Sequence, residues 1–490
     1  MSALATTIVR ARRATAAVHW TWLLVGAAVV FGAALRVWIL SSPLGVLESD
    51  EAIVGLMARH AQHGEFKVFY WLSLYGGTQE ALLTAAVFAV TGSSVVVLKL
   101  VPLAIFAAAG VLTWRVGLRT VGPNAARVGT ALYWIWPPYF VWWTTKARAY
   151  YATGLLCGTI ALLFILRLRE RDSRVDAVVL GFTLGFGVWA TEQSLLIPLP
   201  ALAWLAWRRL AAFRLAPYAV AGAIVGAAPW LAWNAAHGGD AIVPPSVAGA
   251  HSTYGSRLWE LFASVLPTWL GLRLPYSLDW LFPRALGVAL LVLALGAFAY
   301  GVVRRRRETE PLFAVALLFP FLYAATPFTY FRAEPRYLVF LAPVPALLLG
   351  RAVARRPALA TAALVLAGAL SLYGLVRFER QGLYRSLAQD VRVPDDMQPL
   401  IRMLEREHAT RVLANYWIAY RLDFESREKI TATSTGFVRY EPYDREVRRS
   451  AYPARVYVEG SGVERRARPE LLGRGYRAHR AGGFVAYVHP

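Results

Sequence analysis

The sequence predicts an all-α polytopic membrane domain over residues 1–376 and a small α/β domain over 377–490, on three observations. Of 490 residues, 57% are hydrophobic and only 17% are charged, against about 25% charged in an average soluble protein. Apolar runs of about 20 residues, the length a helix needs to cross hydrocarbon, recur through the first part of the chain. After the last run the pattern changes to mixed charged and aromatic residues.

The net charge of +22 does not point to nucleic acid. Many of the arginines stand in short clusters between apolar runs, the positive-inside signature of cytoplasmic loops. The clusters are Arg10/Arg12/Arg13, Arg115/Arg119, Arg167/Arg169/Arg171/Arg174, Arg208/Arg209/Arg214, Arg304 to Arg307 and Arg351/Arg355/Arg356. Placing them all on one side gives spans near 20–40, 96–117, 125–144, 150–168, 175–191, 194–208, 216–235, 285–303, 311–326, 336–351 and 357–375, about eleven crossings. The N-terminus is then cytoplasmic and the C-terminal domain extracytoplasmic, in a plasma-membrane protein. The first run, His19 to Leu40, is too long for a cleaved leader and reads as a retained helix. Residues 81–92 are apolar but short. As a crossing they would flip every later cluster, so they read as a juxtamembrane or re-entrant helix. Cys157 is the single cysteine, which excludes an intrachain disulfide framework, a zinc finger or an iron–sulfur site.

This topology leaves a long external loop at 41–95, a short one at Lys146–Tyr150, a hairpin at Glu192, a loop at 237–283 and another at Thr329–Tyr337. In the tail, Pro399–His408 has a helical pattern, and Arg411–Tyr416, Ala454–Val458 and Phe484–Val488 read as strands.

The candidate chemistry lies at the external rim. Glu48, Asp50 and Glu51 follow the first helix directly, and carboxylates at a membrane surface tend to be functional. In an extended segment Glu48 and Asp50 share a face and could chelate a divalent cation. In a helix start, Ser49 or Asp50 is the N-cap and Glu51 a first-turn carboxylate. Glu80 opens the 81–92 helix, as a further carboxylate or as a partner of the helix dipole. Lys146, Arg148, Arg332 and Arg336 break the charge bias of the topology, and arginine forks suit phosphate. Lys99 enters the second span near the same side. His60 and His63 stand at i, i+3, a spacing open to a metal. Tyr150, Tyr151, Tyr330 and Tyr337 have the position of interfacial belt residues. No P-loop, GxSxG, HExxH or dinucleotide fingerprint is present, which argues against a nucleotide-driven pump.

The order SDEA (49–52), YGGTQEALLTAAVFAVTGSS (75–94), KARAYYATGLL (146–156), WATEQSLLIPLPAL (189–202) and EPRYLVFLAPVPALLL (334–349) resembles the GT-C glycosyltransferases. It is most similar to glycosyltransferase family 39, which includes the protein O-mannosyltransferases, and to the related aminoarabinose transferases. The resemblance implies that Asp50 is the general base and Glu51 its support; Glu48 and Glu80 are read beside them as supporting acidic residues. It implies a polyprenyl-phosphate sugar as donor, its phosphate held by arginines and lysines such as Arg148 and Arg336, to which the external position adds Lys146 and Arg332, and a cell-envelope lipid, glycan or protein as acceptor. The chain departs from the family where it has Gly-Gly-Thr-Gln-Glu in place of a His-Pro-Pro-Leu-like turn, and it lacks the WWDYG motif of oligosaccharyltransferases. The alternative is a transporter or flippase of lipid-linked sugars, which calls for inverted repeats and ionisable residues at mid-membrane.

Overall fold

The computed structural model describes residues 2–242, 252–326, 331–388 and 391–490, with side chains from Trp20 onward. Tyr330, residues 243–251 of the loop at 237–283, and the side chains of Arg10, Arg12 and Arg13 lie outside the described residues. The chain forms two compact units. One comprises Met1–Ile39, Leu103–Thr145 and Tyr151–Gln381; the other comprises Leu40–Pro102, Lys146–Tyr150 and Gly382–Pro490.

The architecture is mostly helical, with several apolar helices. Among the described residues, five are long and apolar enough to cross a bilayer: Trp20–Ser41, Val95–Thr120, Tyr151–Glu170, Arg284–Val303 and Pro357–Gln381. A bent pair, Glu192–Arg208 with Leu210–Gly226, makes a sixth if taken as one broken span. The other expected spans are shorter or interrupted. The run 125–144 is divided into Pro123–Ile135 and Pro138–Trp143, where Pro137 and Pro138 remove successive N–H donors. The run 216–235 divides into Ala216–Gly226 and Ala228–Ala236, with Pro229 in the first turn of the second piece. The run 336–351 starts as a 3-10 turn, Arg336–Leu341, and becomes α-helical at Pro343–Val353. Residues 81–91 fall in the helix Gln79–Thr91, capped by Gly92, whose 13 residues are too few to span.

Within the first unit, helices Arg174–Ala190 and Ala216–Gly226 pack through reciprocal small residues. Gly181 and Gly185 face Ala219 and Ala223, while Gly222 and Gly226 face Val178 and Phe182. A Cβ at Gly181 would stand 1.7 Å from the Ala219 carbonyl oxygen, so the backbones meet where no side chain fits, as in small-xxx-small membrane pairs.

The second unit holds the sheet. β1 (Leu387–Ala388) and β2 (Val391–Arg392) form an antiparallel ribbon. β3 (Arg411–Ala414), β4 (Thr431–Ser434), β5 (Ala454–Val458), β6 (Arg477–Ala481) and β7 (Phe484–Val488) form a sheet in the order β4-β3-β5-β7-β6. β3 runs parallel to β4 and β5, and β7 runs antiparallel to β5 and β6. Leu400, Leu404, Ile418, Leu422, Val456 and Phe484 share its core. The strand expected over Arg411–Tyr416 stops at Ala414 because Asn415 caps the helix Tyr416–Glu425, accepting from the Trp417 N–H at 3.0 Å. A second core in this unit joins the helix Ser49–Gln62 to the C-terminal segment: Ile53, Leu56 and Met57 pack with Tyr420, Phe424 and Tyr440.

Candidate functional site

Pro43 breaks the chain after the first helix into a single 3-10 turn, Pro43–Gly45. The next helix begins at Ser49 with Glu48 as N-cap. Of the two readings of the acidic cluster, the helix start holds, one residue earlier than the candidate caps Ser49 and Asp50. The Glu48 N–H donates to Glu51 Oε2 at 3.2 Å, so Asp50 and Glu51 occupy the first turn, where the helix dipole favours negative charge.

The three carboxylates meet three cations. Lys99 Nζ donates to Glu51 Oε1 at 2.6 Å, and the Ala147 N–H donates to the same oxygen at 2.8 Å. Lys146 Nζ lies 2.9 Å from Glu48 Oε1 and 3.5 Å from Glu51 Oε2. Arg148 spans the remaining pair, donating to Glu48 Oε2 and, at 2.6 Å, to Asp50 Oδ2. Three negative and three positive groups leave no net charge, the condition under which ionised groups survive burial.

Exposure separates the carboxylates. The Glu51 side chain is 0% exposed and that of Glu48 8%, while that of Asp50 is 26% exposed. Asp50 is therefore the acid of the three that a solute can reach. Burial alone would raise the Glu51 carboxyl, but Lys146 and then Lys99 more than reverse this and bring it down to about 2. Burial would lower the Lys146 ammonium, and Glu48 and Glu51 outweigh it, so it stands above its ordinary value. Both remain charged. Through them the Ala147–Arg148 turn is held against the helix start.

The C-terminal segment reaches the same residues. Ser49 Oγ donates to the Tyr416 carbonyl at 2.7 Å, and the Tyr416 hydroxyl donates to Asp50 Oδ1. Tyr70 donates to the Asp50 carbonyl at 3.0 Å. The Arg439 guanidinium lies 5.1 Å from the Tyr70 ring centre and donates from Nε toward the Tyr416 oxygen at 3.4 Å.

Of the residues singled out by sequence, Glu48, Asp50, Glu51, Lys146 and Arg148 come together, and Lys99 joins them. Glu80 is buried in the first turn of Gln79–Thr91. Arg332 and Arg336 belong to the other unit, where they pair with Glu260 at 3.5 Å and Glu334 at 3.6 Å. His60 does not pair with His63. Its Nδ1 meets Glu65 at 2.7 Å, and its Nε2 meets Glu428 at 2.8 Å and the Tyr443 hydroxyl at 3.0 Å. Among the described residues, no three His, Cys, Asp or Glu side chains converge as metal ligands. Arg148 bridges Glu48 and Asp50, the pair read as a cation site. Tyr70, Tyr416 and Arg439 were missed. NYWIAYRLDFES (415–426) reads as domain core, or as aromatics that could bind sugar, and nothing in its local pattern links it to a residue 366 positions earlier.

No family model matches the chain, and no curated protein matches its sequence. Solved structures match along nearly its whole length, and they give the fold. ArnT from Cupriavidus metallidurans, solved bound to undecaprenyl phosphate, aligns with a TM-score of 0.63 at 12% identity, covering 96% of this chain and 98% of that one. The archaeal oligosaccharyltransferase AglB from Archaeoglobus fulgidus, in complex with an inhibitory peptide and a dolichol-phosphate, aligns at 0.51 and 12%, covering 96% and 74%. The Archaeoglobus fulgidus oligosaccharyltransferase tethered with an acceptor peptide containing the NVT sequon aligns at 0.53 and 13%, again over 96% and 74%. At these identities the likeness is one of fold.

Proposed function

We propose that this protein transfers a sugar from a polyprenyl-phosphate donor to an acceptor hydroxyl at the extracytoplasmic membrane face, with Asp50 as general base. The observation that carries the reading is Asp50 itself, the one carboxylate of the cluster open to a solute, set in a GT-C fold. In the reaction Asp50 takes the proton of the acceptor O–H. The acceptor oxygen forms a bond to the anomeric carbon, and the bond from that carbon to the phosphate oxygen breaks, its electron pair leaving with the polyprenyl phosphate. A base within hydrogen-bond reach supplies the nucleophile, and a fixed cation takes up charge growing on the leaving group. Arg148, which already contacts Asp50, supplies that cation in this unit, with Lys146 behind it. In this reading Arg148 neutralises charge between Glu48 and Asp50. Arg332 and Arg336 enter the reading through residue type and the resemblance, not through a contact in this unit. A lipid-linked donor fits a chain with no nucleotide cradle.

The test uses the purified full chain in proteoliposomes with radiolabelled polyprenyl-phosphate sugar and cell-envelope extract as acceptor. Transfer of label is expected, and Asp50→Asn should lower kcat by about 10²- to 10⁴-fold while leaving the folded yield intact. Label that crosses the bilayer untransferred would favour the transporter. Full transfer by Asp50→Asn would remove Asp50 as base.

A further inference from the structure

Asp50 is gripped from two sides. Arg148 holds Oδ2 from the Lys146–Tyr150 turn, and Tyr416 holds Oδ1 from the C-terminal segment. Tyr416 owes its place to a strand-to-helix turn: β3 ends at Ala414, Asn415 caps, and Tyr416 opens the helix. It makes two contacts with consecutive residues of the acid motif, its carbonyl accepting from Ser49 and its phenol donating to Asp50.

The direction of the phenol hydrogen bond is fixed by its neighbours. Arg439 has only donors, so its Nε–H, 3.4 Å away, can reach only the lone pairs of the phenol oxygen. The Asp50 carboxylate has only acceptors, so the single phenolic proton goes to Oδ1. Burial and then the Asp50 charge push the phenol above its ordinary value, which keeps that proton in place. Arg439 is itself anchored, donating to Ser73 Oγ at 3.0 Å and toward the Trp71 carbonyl at 3.4 Å, and its guanidinium lies 4.6 Å from the Phe437 ring centre.

We propose that Tyr416 is a positioning residue for the base: it fixes the Asp50 carboxylate for the incoming acceptor hydroxyl, and Arg439 holds the phenol in place. This rests on the reading of Asp50 as base. A carboxylate has about four lone-pair sites. Arg148 and Tyr416 use one on each oxygen, so the grip sets the orientation of the base without consuming it. A base held by one donor alone can rotate about its Cβ–Cγ bond; a base held by two cannot. Positioning to within a fraction of an ångström is what effective proton abstraction requires. The C-terminal segment therefore belongs to the catalytic centre.

Tyr416→Phe keeps the ring and the carbonyl contact to Ser49 and removes only the hydroxyl. In the full chain it should lower kcat by about 10- to 100-fold, with donor KM within about twofold and an unchanged thermal midpoint. The acid limb of the kcat/KM–pH profile should move to higher pH, because a donor to the ionised base is gone. In an Asp50→Asn background the same substitution should cost nothing further, since the two act through one group. Wild-type kcat and pH profile in Tyr416→Phe overturn the proposal, as does a fall in thermal midpoint with kcat intact. If the Phe variant does not fold, Arg439→Gln carries the test with an expected kcat-selective loss of about three- to tenfold, and its absence is equally fatal. Activity retained in Asp50→Asn refutes the base reading. Activity lost there but kept in Tyr416→Phe refutes only this one.

Discussion

Glu51 and Asp50 are neighbours in sequence with opposite fates. The Asp50 side chain is partly exposed, whereas Glu51 is fully buried between Lys99, Lys146 and the Ala147 N–H. Glu51→Gln would keep the shape and strand two buried ammonium groups with Glu48 alone. Breaking a buried pair in this way costs about 3–5 kcal/mol, to be read as a lower thermal midpoint in detergent. Folding lowers the Glu51 carboxyl from 4.5 to about 2: burial opposes the shift, and Lys146 and Lys99 prevail. Its contribution is thus complete above 4.5 and drains away as pH falls from there toward 2. A midpoint flat across that window would refute this. That Glu48, Asp50, Glu51, Lys146 and Arg148 belong to one charged cluster was legible because charge beside an apolar run is conspicuous. Which carboxylate takes which cation was not, because a pairing such as Glu51 with Lys99 is fixed by how helices pack and not by anything near either residue.

At the scale of elements, hydropathy found the apolar segments, and proline decided which of them became single helices. The runs 125–144 and 216–235 are continuous in composition, and their backbones break at Pro137–Pro138 and Pro229. The sheet was partly legible. Ala454–Val458, which alternates, and Phe484–Val488, a continuous apolar run, form strands as expected, but Thr431–Ser434 is a short buried segment of small residues and Arg477–Ala481 is largely exposed, so neither gives a strand signal. The pairing of Arg174–Ala190 with Ala216–Gly226 gives a sharper test. Gly181→Ala should lower the thermal midpoint, by the equivalent of about 1–3 kcal/mol for an overpacked contact, because its Cβ meets the Ala219 carbonyl. Gly296→Ala, in a helix with nothing within 4 Å of the new methyl, should leave it unchanged or raised. Equal effects at both positions would show that the glycines are not the contact.

At the scale of the whole molecule, the grouping of Leu40–Pro102 and Lys146–Tyr150 with Gly382–Pro490 gives the C-terminal segment work beyond its own sheet. Gly55 illustrates this, since a Cβ there would stand 2.3 Å from the Phe424 ring. Ile53, Leu56 and Met57 bury themselves against residues contributed more than three hundred positions later. Removing 382–490 should therefore expose the helix Ser49–Gln62 to protease in detergent-solubilised chain, whereas the intact protein resists cleavage there. Equal resistance in both would mean that the helix stands without its partner.

The balance of three carboxylates and three cations has a dynamic side. In the proposed reaction the donor is a phosphodiester with one negative charge, and the product is a monoester that carries close to two at neutral pH. When Asp50 captures the acceptor proton, the cluster passes from neutral to a single positive charge just as the lipid phosphate gains its second negative one. On that reaction the protein would attract the spent carrier most at the instant of transfer and release it as Asp50 returns its proton to water, so that departure of the lipid would be timed by proton loss from the group that began the reaction.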